Sequence, residues 1–181
     1  HGKYRKILSQ RLFSPRALAP IEVYMHEVLD ELCAAMLPAG QCEFIAGFAR
    51  PLPVAVVLKI MGLPRARQDE FCEWARLMFH GTTMDEHLAG YGQVTSFMNE
   101  WVAAQRDRLA AGDSADIGAF TYAMHEGRVD DRPLNNDEIR SIAMLLLGAG
   151  VDTMTAQMGH AMRHFASYPE DRLALVEQPE R

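Results

Sequence analysis

The longest run of helical spacing in this chain is interrupted by two glycines, and that interruption limits what can pack around it. Asn135, with Glu138 three residues on, has the form of a capping box with Asn in the Ser/Thr place, so a helix is expected to start there. Helical spacing then persists to about Ala166, a rod of roughly 45 Å at 1.5 Å per residue, long enough to cross most of a domain. Inside it lies Leu145-Leu146-Leu147-Gly148-Ala149-Gly150-Val151-Asp152-Thr153. A glycine in a helix interior costs about 1 kcal/mol relative to alanine, and here two are followed at once by an acid and a hydroxyl. Two readings stay open. Missing side chains at 148 and 150 let a bulky, flat group approach the backbone beside one hydroxyl and one carboxylate, with Thr153 bonding a carbonyl one turn back. Equally, they let a neighbouring helix pack closely, with Thr153 back-bonded and Asp152 exposed.

The other elements read as helices too. Pro20 opens a segment whose apolar residues Ile21, Met25, Val28, Leu32 and Met36 recur at spacings of three and four, ending at Pro38-Ala39-Gly40. Pro51 and Pro53 precede Val54 to Met61, which stops at Gly62 with Pro64 beyond; this predicts a short buried helix, with a strand as the alternative. Phe71, Trp74, Ala75 and Met78 mark a further helix, closed by a loop around His80-Gly81-Thr82-Thr83, and Leu88 to Leu109 mark a long one stopped by Gly112. A short apolar segment from Ile117 to Met124 leads to a turn-rich stretch, Glu126 to Pro133, suited to a small hairpin. Tyr168-Pro169-Glu170 starts a last helix with Leu173 and Val176. The fold class is therefore mainly α, with at most a small β-hairpin.

At 181 residues the chain is long enough to bury a sizeable core, and 49% hydrophobic with 23% charged residues is ordinary globular composition. The longest apolar run, Ile142 to Val151, is ten residues, about half of the roughly 20 a membrane-spanning helix needs, so no span is expected. Cys33, Cys42 and Cys72 are an odd, widely spaced set, which suggests neither a disulfide framework nor a zinc ribbon and fits a cytoplasmic setting. Residue 1 is His, and no signal or transit peptide follows, as expected of an internal piece of something longer.

Net charge is −6, yet residues 1 to 16 hold Lys3, Arg5, Lys6, Arg11 and Arg16 and no acid, so that segment carries +5 and the remainder −11. A local basic patch meets phosphate, carboxylate or an acidic protein, whereas an acidic chain argues against general nucleic-acid binding. A solvated basic helix face is the plain alternative. Within the patch His1 and Arg5, spaced i,i+4, share a helix face and together offer donors to one carboxylate. His160 and His164 repeat that spacing, which suits zinc, but no Glu follows the first His and no third ligand suggests itself, so ordinary histidines are the better reading and no metal site is assigned. No phosphate-cradling loop, Gly-x-Ser-x-Gly elbow or kinase signature occurs.

In order and spacing these features resemble a bacterial cytochrome P450, a haem-thiolate monooxygenase. The resemblance runs from His1-x-x-x-Arg5 and Leu12-Phe13-Ser14-Pro15-Arg16 through Phe48-Ala49-Arg50-Pro51-Leu52-Pro53, Met61-Gly62-Leu63-Pro64 and Leu134-Asn135-Asn136-Asp137-Glu138. It continues through Ala149-Gly150-Val151-Asp152-Thr153 to Tyr168-Pro169-Glu170. Leu145-Leu146-Leu147 and Glu177-Gln178-Pro179-Glu180-Arg181 are similar to the camphor-hydroxylating branch. The resemblance implies a partial cytochrome P450 fold, a single-domain fragment over 1–181 running from the C helix to the J helix, with the glycine-interrupted rod as the long central I helix. It implies that His1 and Arg5 bind a haem propionate, that Ala149 and Gly150 form the groove where dioxygen sits, and that Leu145 and Gly148 line the substrate pocket. Thr153 would hydrogen-bond the oxygen species and Asp152 relay protons to it. The family's cysteine loop and its Glu-x-x-Arg pair do not occur here, and Cys33, Cys42 and Cys72 do not match, so the iron ligand is expected outside this chain.

The implied activity is insertion of one oxygen atom from O2 into a small apolar, terpenoid-like substrate, with electrons from a ferredoxin or flavin partner docked on the basic patch. Neither nucleic acid nor membrane is an expected partner, and the isolated fragment is expected to be inactive. The contrasting expectation is a non-catalytic helical ligand-binding or interaction protein.

Overall fold

A computed structural model describes residues 2–113 and 119–178. In chain order its helices are α1 (Gly2–Leu12), α2 (Pro15–Met36), α3 (Pro51–Met61), α4 (Gln68–His80), α5 (Met84–Ala110), α6 (Ala119–Glu126), α7 (Asn136–Ser167) and α8 (Pro169–Glu177). Strands β1 (Arg128–Val129) and β2 (Arg132–Pro133) pair antiparallel, and the turn between them holds Asp130 and Asp131 at φ 52° and 64°. Acidic and amide side chains tolerate that left-handed region better than most, which is how a hairpin turn without glycine closes here.

Local chemistry explains most of the boundaries. Ser14 caps α2 by accepting from the Ala17 amide (3.3 Å), with Pro15 in the first turn. The helix therefore starts five residues before Pro20, the expected opening, and Pro20 lies inside its second turn. The helical alternative holds for Val54 to Met61: α3 begins at Pro51 and ends on Gly62 at φ 71°, where a side chain would be strained. The capping box forms as the sequence indicates, with the Glu138 amide donating to Asn135 Oδ1 (2.8 Å) and the Asn135 amide to Glu138 Oε2 (2.9 Å). Ile117 and Gly118 lie outside the described residues, and α6 holds the segment from Ala119 on.

A wide helical turn at Ile45–Ala49, closed by the Arg50 amide donating to the Ile45 carbonyl (2.9 Å), had no signal in the periodicity. Pro53 has no amide to give the Ala49 carbonyl, and the buried Thr155 hydroxyl of α7 stands within bonding distance of it (3.1 Å) and of the Val151 carbonyl (2.8 Å).

Most of the core is one cluster in which α7 supplies Ile139, Ile142, Ala143, Leu147 and Val151 against α3, α4, α5 and α6. A smaller cluster joins Val28 of α2 to Leu52 and Ala55 of α3. By length and composition α7 could cross a membrane, but it packs against α3, α4 and α5, as a core helix does. Gly90 of α5 is where α4 and α5 approach most tightly: a Cβ there would lie 2.7 Å from the Leu77 Cβ and the Met78 amide.

Candidate functional site

The side of α7 that the core leaves uncovered carries the interrupted motif. Leu145, Ala149 and Thr153, one helical turn apart, are all exposed, and Leu145 is 62% exposed despite its apolar side chain. They form a narrow open stripe with almost no side-chain bulk at its middle. Half-buried Asp152 flanks it. The Thr153 hydroxyl donates to the Ala149 carbonyl (2.6 Å), which leaves the oxygen's lone pairs free to accept.

The two glycines have different neighbours. A Cβ at Gly150 would stand 2.7 Å from Val57 Cγ2 of α3, so that glycine permits the close α3–α7 crossing. A Cβ at Gly148 would meet only the Phe79 ring edge at 3.4 Å, an ordinary contact, so space alone does not demand glycine there. Gly150 nevertheless shares with Ala149 the lining of an apolar hollow of about 230 Å³, together with Phe13, Val57, Ile60, Met61 and Leu146.

A larger cleft of about 550 Å³ lies between α1 and the first turns of α7, with Arg5 and Leu8 on one wall and Ser141, Ile142 and Leu145 on the other. The fold thus brings Arg5, an exposed cation, to the same cleft as the first residue of the stripe. His1, its expected companion, lies outside the described residues. The cleft's rim is held by an ionic knot. Arg132 grips Glu138 with both terminal nitrogens (2.7 and 2.8 Å), and Tyr4 donates its hydroxyl to Glu138 Oε1 (2.5 Å). Arg132 first, then Tyr4 and the Asn135 amide, hold the Glu138 carboxyl well below the usual carboxylate range, while the acceptor it provides raises the Tyr4 phenol. Lys3 pairs with Asp130 at the hairpin tip, so β1–β2, α1 and the start of α7 are tied together.

Sequence reasoning missed two residues beside the motif. His80, the last residue of α4, donates from Nε2 to Asp152 Oδ1 (2.8 Å) across 72 positions of chain. Phe79 covers Gly148. Both belong to a loop-closing segment whose local pattern says nothing of α7, and only the α4–α7 contact brings them there. His164, read as one of a spaced histidine pair, bonds Asp171 (2.7 Å) and stacks on Tyr168. Among the described residues no three His, Cys, Asp or Glu side chains gather as a metal site.

A haem suits one side of this arrangement. A flat group would find room along a stripe whose centre is Ala149, and Arg5, which lines the adjoining cleft, would offer a propionate a cation. The cysteines do not fit the proximal role: none lines either cavity, and burial pushes the Cys72 thiol up to about 11, away from thiolate.

No family model matches the chain. Among curated proteins it is 26% identical to vitamin D(3) 25-hydroxylase of Pseudonocardia autotrophica, over 99% of this chain and 43% of that one. It is 28% identical to probable cytochrome P450 127A1 of Sinorhizobium fredii, over 100% of this chain and 42% of that one. Among solved structures the mixed-function P450 MycG matches with a TM-score of 0.82 at 27% identity, covering 99% of this chain and 44% of that one. The LnmA cytochrome P450 hydroxylase of Streptomyces atroolivaceus matches in fold with a TM-score of 0.85 at 21% identity, covering 99% of this chain and 45% of that one. The chain spans less than half the length of these relatives. Over almost all of its length the chain is similar in sequence to bacterial cytochrome P450s, and it shares their fold over that span.

Proposed function

We propose that this chain is the oxygen-side segment of a haem-thiolate monooxygenase whose cysteine ligand lies outside residues 1–181, and that the whole protein inserts one oxygen atom into a small apolar, terpenoid-like substrate. The observation that carries this reading is the exposed stripe Leu145–Ala149–Thr153 with Asp152 beside it on a helix whose other face, at Ile139, Ile142, Ala143, Leu147 and Val151, is core. Haem bound through a thiolate would supply oxygen activation, the thiolate's electron donation favouring O–O cleavage.

The chain's own residues would do the rest. Ala149 leaves room for the flat cofactor, while Leu145 and Gly148, with Phe79 over it, offer an apolar wall to substrate. Arg5 neutralises a propionate. The Thr153 hydroxyl, already aligned by the Ala149 carbonyl, accepts and passes on a hydrogen bond, and Asp152 supplies the proton in a site from which substrate excludes water. The exposed cations Lys3, Arg5, Lys6 and Arg16 suit an acidic ferredoxin or flavin partner. The reading places the protein in the cytoplasm.

In the full-length protein, Thr153→Ala is expected to keep haem while diverting most electrons to peroxide, measured as product formed per electron consumed. Unchanged coupling would remove the proposed role of Thr153.

A further inference from the structure

Arg5 is the cation among the residues that line the cleft between α1 and the first turns of α7. It is exposed, and among the described residues no side chain pairs with its guanidinium. A long unpaired side chain samples many rotamers, so the placing of its charge depends on how the helix beneath it is set. That helix is anchored unevenly. Leu12, at the end of α1, is buried in the core and α1 packs on α6, whereas Gly2, Lys3 and Arg5 of its first turn are exposed.

Tyr4 is the exception in that turn. It is half-buried, and with Arg5 and Leu8 it lines the cleft. Its hydroxyl donates to Glu138 Oε1 (2.5 Å), across the cleft's rim, in the first turn of α7. Glu138 is itself fixed, by both terminal nitrogens of Arg132 (2.7 and 2.8 Å) and by the Asn135 amide (2.9 Å), and its side chain is only 16% exposed. A hydrogen bond to an ionised, well-held acceptor is stronger than a neutral one. Arg132 first, then Tyr4, keep the Glu138 carboxyl ionised far below neutral pH, so the bond persists through the neutral range. The neighbouring Lys3–Asp130 pair is exposed at both ends and adds little.

We propose that Tyr4, held by Glu138, is a positioning residue for Arg5: a strut between α7 and the first turn of α1 that sets the width of the cleft and the approach of the Arg5 guanidinium to a haem propionate. The use of the strut rests on the monooxygenase reading; its existence does not. Tyr4 and Arg5 are consecutive, about 100° apart around the helix, so a tilt or rotation of the first turn moves both together. The hydroxyl is the part that matters. A phenyl ring keeps the packing and lacks the donor, so Tyr4→Phe removes the strut and little else.

The test is the rate of haem loss from the full-length protein to an excess of apomyoglobin, for Tyr4→Phe, Arg5→Ala and the two together. Tyr4→Phe is expected to speed haem loss about 3–10-fold and to add nothing in the Arg5→Ala background, where no guanidinium is left to place. A general loosening of the fold would speed loss by the same factor in both backgrounds; that result, or an unchanged rate in Tyr4→Phe, would overturn the proposal. A full-length protein that binds no haem would overturn the monooxygenase reading, and the use of the strut with it. The strut itself is read without haem: the losses in Tm of Tyr4→Phe and Glu138→Gln are expected to be non-additive by about 1–2 °C, and additive losses would show that it does not form.

Discussion

At the scale of single residues, Gly150 and Glu138 show where a side chain's meaning comes from. Sequence spacing left Gly150 open between cofactor approach and close packing; the Val57 methyl at 2.7 Å supplies the packing reason, and the neighbouring hollow keeps it beside Ala149. Gly150→Ala would gain about 1 kcal/mol of helix propensity but overpack the α3–α7 crossing at a cost of about 1–3 kcal/mol. Net destabilisation is therefore expected in a denaturant titration of the full-length protein, turning to neutral or stabilising in a Val57→Ala background. The Glu138 carboxyl is depressed, so its contribution is present above its ordinary unfolded pKa of about 4.3 and is lost only as pH falls through the lower folded value. Acid unfolding of Glu138→Gln, followed by circular dichroism, should lack that component, and the variant should be less stable than wild type at neutral pH. An identical acid profile would show that the knot with Arg132 and Tyr4 does not form. The capping box in which Glu138 takes part was legible in sequence; its grip on Arg132 and Tyr4 was not, because Tyr4 comes from 134 positions away.

At the scale of elements, boundaries were legible where a cap or a breaker marks them and obscure where a tertiary contact does. Asn135, Gly62 and Gly112 stop or start helices by their own chemistry. Pro20 misleads because Ser14 and Pro15 already provide a better start one turn earlier. The wide turn at Ile45–Ala49 could not be read at all, since a hydroxyl on α7 serves the carbonyl that Pro53 leaves free. Thr155→Val keeps the shape and removes that hydroxyl. It should cost about 1–3 kcal/mol in thermal or denaturant unfolding, more than the ~1 kcal/mol of Asn135→Ala. If Thr155→Val were neutral, the Ala49 carbonyl would have to be served in another way.

At the scale of the whole molecule, the distribution of exposed apolar side chains reports what this segment is. Leu145 at 62%, Leu88 at 62%, Leu173 at 55% and Val176 at 74% are far more exposed than large aliphatic side chains usually are. The isolated 181-residue chain is therefore expected to self-associate and to bind a hydrophobic dye, as sedimentation and fluorescence would show. The mainly helical fold could be read from punctuation and period alone, and the glycine interruption of α7 from its broken helical rule. The partnership of α4 with that motif, through Phe79 and His80, could not be read, because nothing local in either segment encodes the contact.

The central claim is that the stripe on α7 faces a thiolate-ligated haem. Its most direct test is the absorption spectrum of the reduced, carbon monoxide-bound protein produced from the reading frame that contains this chain. The account predicts the long-wavelength Soret band of a thiolate haem, weakened in Arg5→Ala through loss of cofactor and retained in Thr153→Ala. A protein that folds and stays soluble yet shows no haem absorption would contradict it, and would leave a helical ligand-binding or interaction protein as the reading.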